Sequence, residues 1–326
     1  MEVSIIIPVY NRASVVISTL QSVLAQTHRP LQLVLVDNDS TDNTLRVLQD
    51  FKRYHEREDF KIEVCQEKHR TAGAARNRGF ELATAPWVMF FDSDDIMEQG
   101  LVARYVGTVE KAQAGGRELD LISTRSTLVF PDGRQRRAPF HKRDLFANHI
   151  LHGQLATQRY AVRREFFAAT DGWNINLPGW NDWELGMRLL LANPCVGFTT
   201  GRPRVIINHN GSDSITGTEF HSRHGQWEHV IDIIINEVRC SRLKARHKQR
   251  FERLLEYRRL VLAAHYEREG HPELAKPLCQ EAYRTLQESY RNSRRWRWVI
   301  APVTRRLFAR IVAGKRGSAR IARLLY

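Results

Sequence analysis

The chain has 326 residues, of which 42% are hydrophobic and 26% charged, as in globular proteins with one large domain or two. Its net charge of +14 is uneven, because residues 291–326 hold eleven Lys and Arg and no acid, which leaves 39 bases and 36 acids elsewhere. The near-neutral body gives no indication of nucleic-acid binding. No apolar run reaches the roughly 18 residues of a membrane span, and the four cysteines lack zinc-site spacing. We expect a reduced, cytoplasmic protein without a signal peptide.

Short apolar runs alternate with helical patterns in the first 100 residues. The runs at 3–10, 31–36, 61–65 and 87–91 predict strands, and helical spacing follows at 13–26, from Leu45, and from Thr71. Ser40 or Thr41 is expected to cap the second helix. Apolar strands that alternate with amphipathic helices predict an α/β fold with a mostly parallel sheet flanked by helices.

The second half is less regular until about residue 226, after which the period is helical to the end. We predict strands at 119–128, 160–162 and 205–209, a hairpin turn at 131–133, and helices at 140–155, 164–169 and from Trp183. The predicted division is a catalytic α/β domain at 1–222, a helical extension at 223–290 and a basic amphipathic tail at 291–326.

Polar residues follow three of the predicted strands directly: Asn11 and Arg12, the segment from Asp37 to Asp42, and the segment from Asp92 to Asp95. Ligands bind outside the C-terminal ends of parallel strands, so these groups are expected at one ligand-binding edge. Clustered carboxylates need a cationic partner, which favours a divalent cation that carries a phosphate ligand. The chain lacks the glycine-rich motifs of nicotinamide enzymes and P-loop ATPases, and this argues against both classes.

Four segments in this order, 6–11, 36–42, 74–79 and 91–95, resemble the family 2 inverting glycosyltransferases, and the resemblance covers about residues 1–210. The resemblance implies a GT-A (Rossmann-like) fold and transfer of a sugar from a nucleoside-diphosphate donor, UDP in our prediction. It also implies a Mg²⁺ or Mn²⁺ cofactor.

Carried over residue by residue, the resemblance implies that Asp37 bonds the nucleobase. Asp92 and Asp94 would hold the metal, together with His209 after the last predicted strand, and Asp95 is an alternative to Asp94. The predicted nucleotide-sugar-binding residues are Pro8, Tyr10, Asn11, Asp37, Asp39, Arg76, Asp92 and Ser93.

The segment Trp180–Glu184 resembles the acidic pair in which the second acid of the family acts as base. This implies that Asp182 is the general base that takes the proton of the acceptor hydroxyl, with Glu184 as its rival. An alternative is that Asp182 caps the helix. Trp180 and Trp183 are predicted to bind the acceptor, because aromatic faces stack on sugar rings.

Aromatic and aliphatic residues alternate with arginines in the tail, a pattern typical of a helix that lies on anionic lipid. We expect peripheral contact with the inner face of the cell membrane and a glycan or lipid-linked acceptor, as in polysaccharide or lipopolysaccharide biosynthesis. The alternatives are a helix docked on the body and a partner-binding tail.

Two other functions stay open on the sequence. One is a nucleotidyltransferase that makes a nucleotide sugar, although the segment after the first strand lacks that class's glycine-rich loop. The other is a non-catalytic protein that binds nucleic acid through its basic tail. The neutral body and acidic site argue against it, and we expect no nucleic-acid partner.

Overall fold

The computed structural model describes residues 1–177, 179–208, 219–291, 293, 295–315 and 317–326. Its strands, in chain order, are β1 (Val3–Val9), β2 (Leu31–Asp37), β3 (Phe60–Gln66), β4 (Trp87–Phe90), β5 (Ile96–Met97), β6 (Leu121–Ser123), β7 (Ser126–Val129), β8 (Gln135–Arg137), β9 (Tyr160–Arg163), β10 (Val196–Phe198) and β11 (Val205–Asn208). Seven of them form one sheet in the order β10-β6-β9-β4-β1-β2-β3, and four form a second sheet in the order β5-β11-β7-β8. In the larger sheet only β9 runs antiparallel to its neighbours, which confirms the mostly parallel sheet.

The helices are α1 (Val16–Leu24), α2 (Thr44–His55), α3 (Ala72–Leu82), α4 (Leu101–Ala114), α5 (Leu145–His152), α6 (Arg164–Ala168), α7 (Asn181–Leu191), α8 (Gln226–Cys240), α9 (Ala245–Arg268), α10 (Pro272–Ser289), α11 (Ala301–Val312) and α12 (Ser318–Leu325). Together with the sheets they form the flanked α/β architecture and the helical C-terminus that the sequence predicts.

Alternate side chains of β1 enter the two cores of the sheet, because successive residues of a strand point to opposite faces. Ile5 and Ile7 pack in the core on the side of α1, α2 and α4. Ile6 packs in the core on the side of α3, α6 and α7. At Gly79 in α3 an added Cβ would lie 2.4 Å from Cγ2 of Ile6, so this glycine lets α3 lie directly against β1.

Three expectations from the sequence are wrong in detail. The run at 119–128 is two strands, β6 and β7, which belong to different sheets, and the helix expected over 140–155 is only α5. Neither Ser40 nor Thr41 caps α2. Instead Asp42 accepts the Thr44 N–H at 2.9 Å, and the Ser40 hydroxyl accepts the Asn11 N–H.

The C-terminal helices pack around α9, in a third core that also takes side chains of α5 and α7. In the tail Ile300, Leu307 and Ile311 are buried in this core, so much of its apolar side docks on the body. Trp298 and Leu324 stay 71% and 77% exposed. Among the described residues no helix has the length and apolarity needed to cross a bilayer.

Candidate active site

The ends of β1, β2 and β4 meet at one edge of the larger sheet, since these strands are parallel and adjacent. Asp37, the last residue of β2, is fully buried, and its Oδ2 accepts a hydrogen bond of 3.1 Å from Gln66 Nε2. Its Oδ1 is buried without a hydrogen-bond partner among the described atoms. A buried carboxylate oxygen without a donor is costly, so this position favours a ligand that carries an N–H group.

The loop after β1 and the loop after β2 hold each other. Asn11 has a left-handed backbone (φ 49°), and its Oδ1 accepts the Thr41 N–H at 2.8 Å. Asp39 (φ 61°) accepts a bond of 2.7 Å from Arg70 Nε. Tyr10 is 46% exposed beside these loops, and Pro8 is half-buried in β1. Asn11 and Asp39 therefore shape the edge around Asp37.

Arg76 forms an ion pair with Asp92. Its Nη2 donates to Asp92 Oδ1 at 2.6 Å, and its guanidinium stacks 4.4 Å from the ring centre of Trp173. Gln158 Nε2 donates both to Asp92 Oδ2 and to Asp95 Oδ2. Asp92 therefore has a partner on each oxygen, and the helix that carries Arg76 fixes its orientation.

Asp94 and Asp95 differ in their surroundings. Asp95 is buried, and its Oδ1 accepts the Asn208 N–H at 2.8 Å. Burial, with repulsion from Asp92 and Asp94, raises the pKa of Asp95 well above its usual range. Asp94 is half-buried and lies 3.8 Å from Arg12 Nη2. Asp94 is thus the more accessible ligand for a cation.

The carboxylates at this edge fit a cation that also binds the phosphate groups of a ligand. In the ranges that the structure describes, no group of three His, Cys, Asp or Glu side chains is placed to hold a metal. Mg²⁺ is commonly bound through one or two carboxylates plus substrate phosphates, which suits Asp94 and Asp92. His209 lies outside the described residues. Ser93 contributes a backbone carbonyl that accepts from the Thr19 hydroxyl.

Asp182 lies in the first turn of α7, where its Oδ1 accepts the Trp183 N–H at 2.8 Å. Burial raises the pKa of Asp182, Arg76 acts to lower it and Asp92 raises it further, so the three groups lie within electrostatic reach. The rival base Glu184 is buried, and its two oxygens accept from Arg188 at 2.5 and 2.9 Å. Among the residues that the structure describes, Asp182 is therefore the acid of this pair without an ion pair of its own.

Of the two tryptophans predicted to bind an acceptor, one is a core residue. Trp183 is 5% exposed and its indole N–H donates to the carbonyl of His149 at 3.1 Å, so an acceptor cannot reach its faces. Trp180 is half-buried and lies before Asn181, with Trp227 at 4.8 Å between ring centres.

Two residues that hold the carboxylates are absent from the sequence-based prediction of the site. Gln158 and Asn208 lie on a turn and at a strand end, and no local pattern marks them. Arg12, beside Asp94, was expected at this edge because it follows the first strand, but without a role of its own.

Residues 4–151 match the family described as Glycosyl transferase family 2. An uncharacterized glycosyltransferase of Nostoc sp. is 30% identical over 57% of this chain. A PGL/p-HBAD biosynthesis glycosyltransferase of Mycobacterium tuberculosis is 29% identical over 66% of this chain and 79% of its own length. The chain spans 58% of the Nostoc protein and 15% of similar glycosyltransferases of Rickettsia felis and Rickettsia conorii.

Two solved structures have the same fold. S. aureus TarS 1-349 in complex with UDP-GlcNAc has a TM-score of 0.70 at 16% identity, over 99% of this chain and 91% of that chain. The mannosyltransferase PcManGT from Pyrobaculum calidifontis, in complex with GDP-Man and Mn²⁺, has a TM-score of 0.56 at 16% identity, over 99% and 83%. At these identities the likeness shows the fold.

Proposed function

We propose that this chain, whose residues 4–151 belong to glycosyltransferase family 2, transfers one sugar from a UDP-sugar to a hydroxyl of a glycan or glycolipid, with inversion. The chain has the GT-A fold. The observation that carries the proposal is the buried Asp37, whose Oδ1 has no donor among the described atoms and lies at the edge that also holds Asp92 and Asp94. A carboxylate only accepts hydrogen bonds, so it suits the imide N–H of uracil.

In the proposed reaction, Asp182 accepts the proton of the acceptor hydroxyl. The acceptor oxygen forms a bond to the anomeric carbon while the bond from that carbon to the donor phosphate oxygen breaks. Attack from the face opposite the leaving group inverts the centre. A raised pKa brings the carboxylate closer to the working pH, where a general base is most effective. The proposed division of labour keeps this chemistry in residues 1–222, with 223–290 as helical support.

Asp94 and Asp92 would hold a divalent cation, Mg²⁺ or Mn²⁺, with His209 as a further proposed ligand. When bound, the cation would neutralise charge on the departing nucleoside diphosphate. Arg76 and Gln158 keep Asp92 in place through one hydrogen bond to each of its oxygens. The PcManGT complex with Mn²⁺ supports a metal in this fold.

We expect Asp37→Asn to weaken UDP binding roughly tenfold, because an uncharged amide oxygen replaces a charged acceptor, a difference of about 1.4 kcal/mol. Isothermal calorimetry with UDP and Mn²⁺ measures this. Asp42→Asn is the matched control, since Asp42 lies on the loop after β2 and its hydrogen bonds to described residues go to the Ala13 N–H and to Thr44. Equal UDP affinity in Asp37→Asn and the wild type would remove Asp37 from the base site.

The tail supports a proposed peripheral contact with an anionic membrane. Trp298 and Val299 are exposed beside Arg297, and Arg305 and Arg306 are exposed on α11. Amphipathic aromatic rings and arginines favour the interface of anionic lipid. The buried side of α11 holds this surface on the body.

Removal of this surface is expected to weaken binding to phosphatidylglycerol-containing vesicles. Each Arg→Gln change at 297, 305 or 306 should cost roughly fivefold, as expected for about 1 kcal/mol per basic residue near such a surface. Co-sedimentation with vesicles measures binding. Tyr54→Ser is the control for Trp298→Ser, because both side chains are 71% exposed. Vesicle binding that is insensitive to all four tail changes would contradict the contact.

A further inference from the structure

Five basic side chains from separate elements gather beside the start of α7, which carries Asp182. They are Arg159 before β9, Arg258 of α9, Arg323 of α12, His152 of α5 and His141 of the preceding loop. The Arg258 guanidinium lies 5.6 Å from the ring centre of Trp180 and 5.4 Å from that of Trp183. The rings of His141 and His152 are 5.7 Å apart.

His152 lies within electrostatic reach of the other four side chains. After burial, the groups that lower the pKa of His152, to about 4, are His141, Arg258, Arg323 and Arg159. Arg159 is 2% exposed, and its Nη2 donates a hydrogen bond of 2.8 Å to the Pro139 carbonyl. The three arginines therefore lie within electrostatic reach of the His152 ring, which they help to keep uncharged near neutral pH.

No carboxylate balances this charge in the part of the chain that the structure covers. None of the five residues forms an ion pair there, and Arg323 donates to the amide oxygen of Asn148 at 3.3 Å. The Nε atoms of Arg159 and Arg258 are buried without a hydrogen-bond partner. Elsewhere in the fold buried arginines have acids, as Arg259 has Glu256 and Asp232. An uncompensated buried guanidinium is unfavourable, and a bound anion would relieve it.

The position of the cluster relates it to the reaction. Arg258 packs on the two tryptophans that flank Asn181 and Asp182, and Arg159 directly follows Gln158, which holds Asp92 and Asp95. We infer that Arg159, Arg258 and Arg323, with His141 and His152, bind a phosphate group of the acceptor, an inference that rests on the proposed sugar transfer. Phosphate suits the cluster because it offers several acceptor oxygens and more than one charge to guanidinium groups.

The binding test uses the full chain with its donor site filled by UDP and Mn²⁺, and titrates inorganic phosphate by calorimetry. Arg258→Gln and Arg323→Gln are each expected to raise the Kd for phosphate at least roughly tenfold, with UDP affinity unchanged. Arg246→Gln, an exposed arginine of α9, is the matched control and should bind phosphate as the wild type does. Arg323→Lys keeps the charge and should recover part of the affinity. Circular dichroism verifies that each variant is folded.

A kinetic test uses glycosides in neutral and phosphorylated form as acceptors. The wild type is expected to prefer the phosphorylated acceptor, and Arg258→Gln to lose that preference with UDP affinity unchanged. Absence of phosphate binding in the wild type, or equal binding in the cluster variants, overturns the inference. If UDP affinity falls in these variants instead, the phosphate belongs to the donor, and the acceptor inference is again overturned. Failure of the proposed function is recognised separately, as absence of binding and turnover of any nucleotide sugar by the wild type.

Discussion

Asp182→Asn is expected to lower turnover by about 100- to 10,000-fold, the usual contribution of a positioned general base. UDP-sugar affinity should stay the same, because Asp182 has no part in the proposed nucleotide site. Release of UDP through donor hydrolysis measures the effect without knowledge of the acceptor, since water then takes the place of the hydroxyl. Retained turnover in a folded Asp182→Asn variant would show that another group is the base.

The pH profile of the same reaction gives a second readout of Asp182. Because burial raises its pKa, the base is lost by protonation at a higher pH than an ordinary aspartate, whose pKa is about 3.9. Arg76 acts to lower that pKa, so Arg76→Met should move the acid limb of kcat/KM to higher pH, and Arg76→Lys should move it less. Glu184→Gln is the contrasting variant. It loses the ion pair with Arg188 and is expected to lower stability while the acid limb stays in place.

Asp94→Asn is expected to lower kcat/KM by about 100- to 1,000-fold and to raise the Mn²⁺ concentration needed for half-maximal activity. An amide oxygen is a weaker and uncharged ligand for a hard cation. Titration of activity with Mn²⁺ after treatment with EDTA measures both effects.

Asp95→Asn distinguishes the two neighbouring acids. Asp95 already accepts hydrogen bonds from Gln158 and Asn208, so its replacement should alter thermal stability more than the Mn²⁺ requirement. The opposite result, with the requirement changed in Asp95→Asn and unchanged in Asp94→Asn, would assign the metal to Asp95.

The parallel sheet and its edge were predictable because they depend on local patterns. The strands β1, β2 and β4 are continuous apolar runs, and the acids after them follow from parallel pairing. Thr71 was likewise identifiable as the start of α3, and it accepts the Ala74 N–H. Periodicity and capping are properties of neighbouring residues, so the sequence alone suffices for them.

The pairings inside the site were not predictable, because they join residues far apart in the chain. Arg76 was predicted to bind the nucleotide sugar, but its contact with Asp92, which follows from the direct packing of α3 on β1, was not foreseen. The run at 119–128 contains no Gly or Pro that would mark a break, and only the choice of partner strands divides it between two sheets. Trp183 is aromatic, as sugar-binding residues often are, but α5 packs against its side chain and buries it.

The left-handed backbone of Trp180 (φ 53°) makes the chain less modular than its family match suggests. A bulky residue in this conformation costs about 1–3 kcal/mol unless its surroundings hold it. Here the rings of Phe220 and of Trp227 in α8 hold it, and both lie beyond the matched residues. A domain cut out along the family boundary would keep the Asp37 edge and lose Asn181–Asp182 together with its support. Exchange of this part of the chain between related proteins therefore has to carry the C-terminal helices along with residues 4–151.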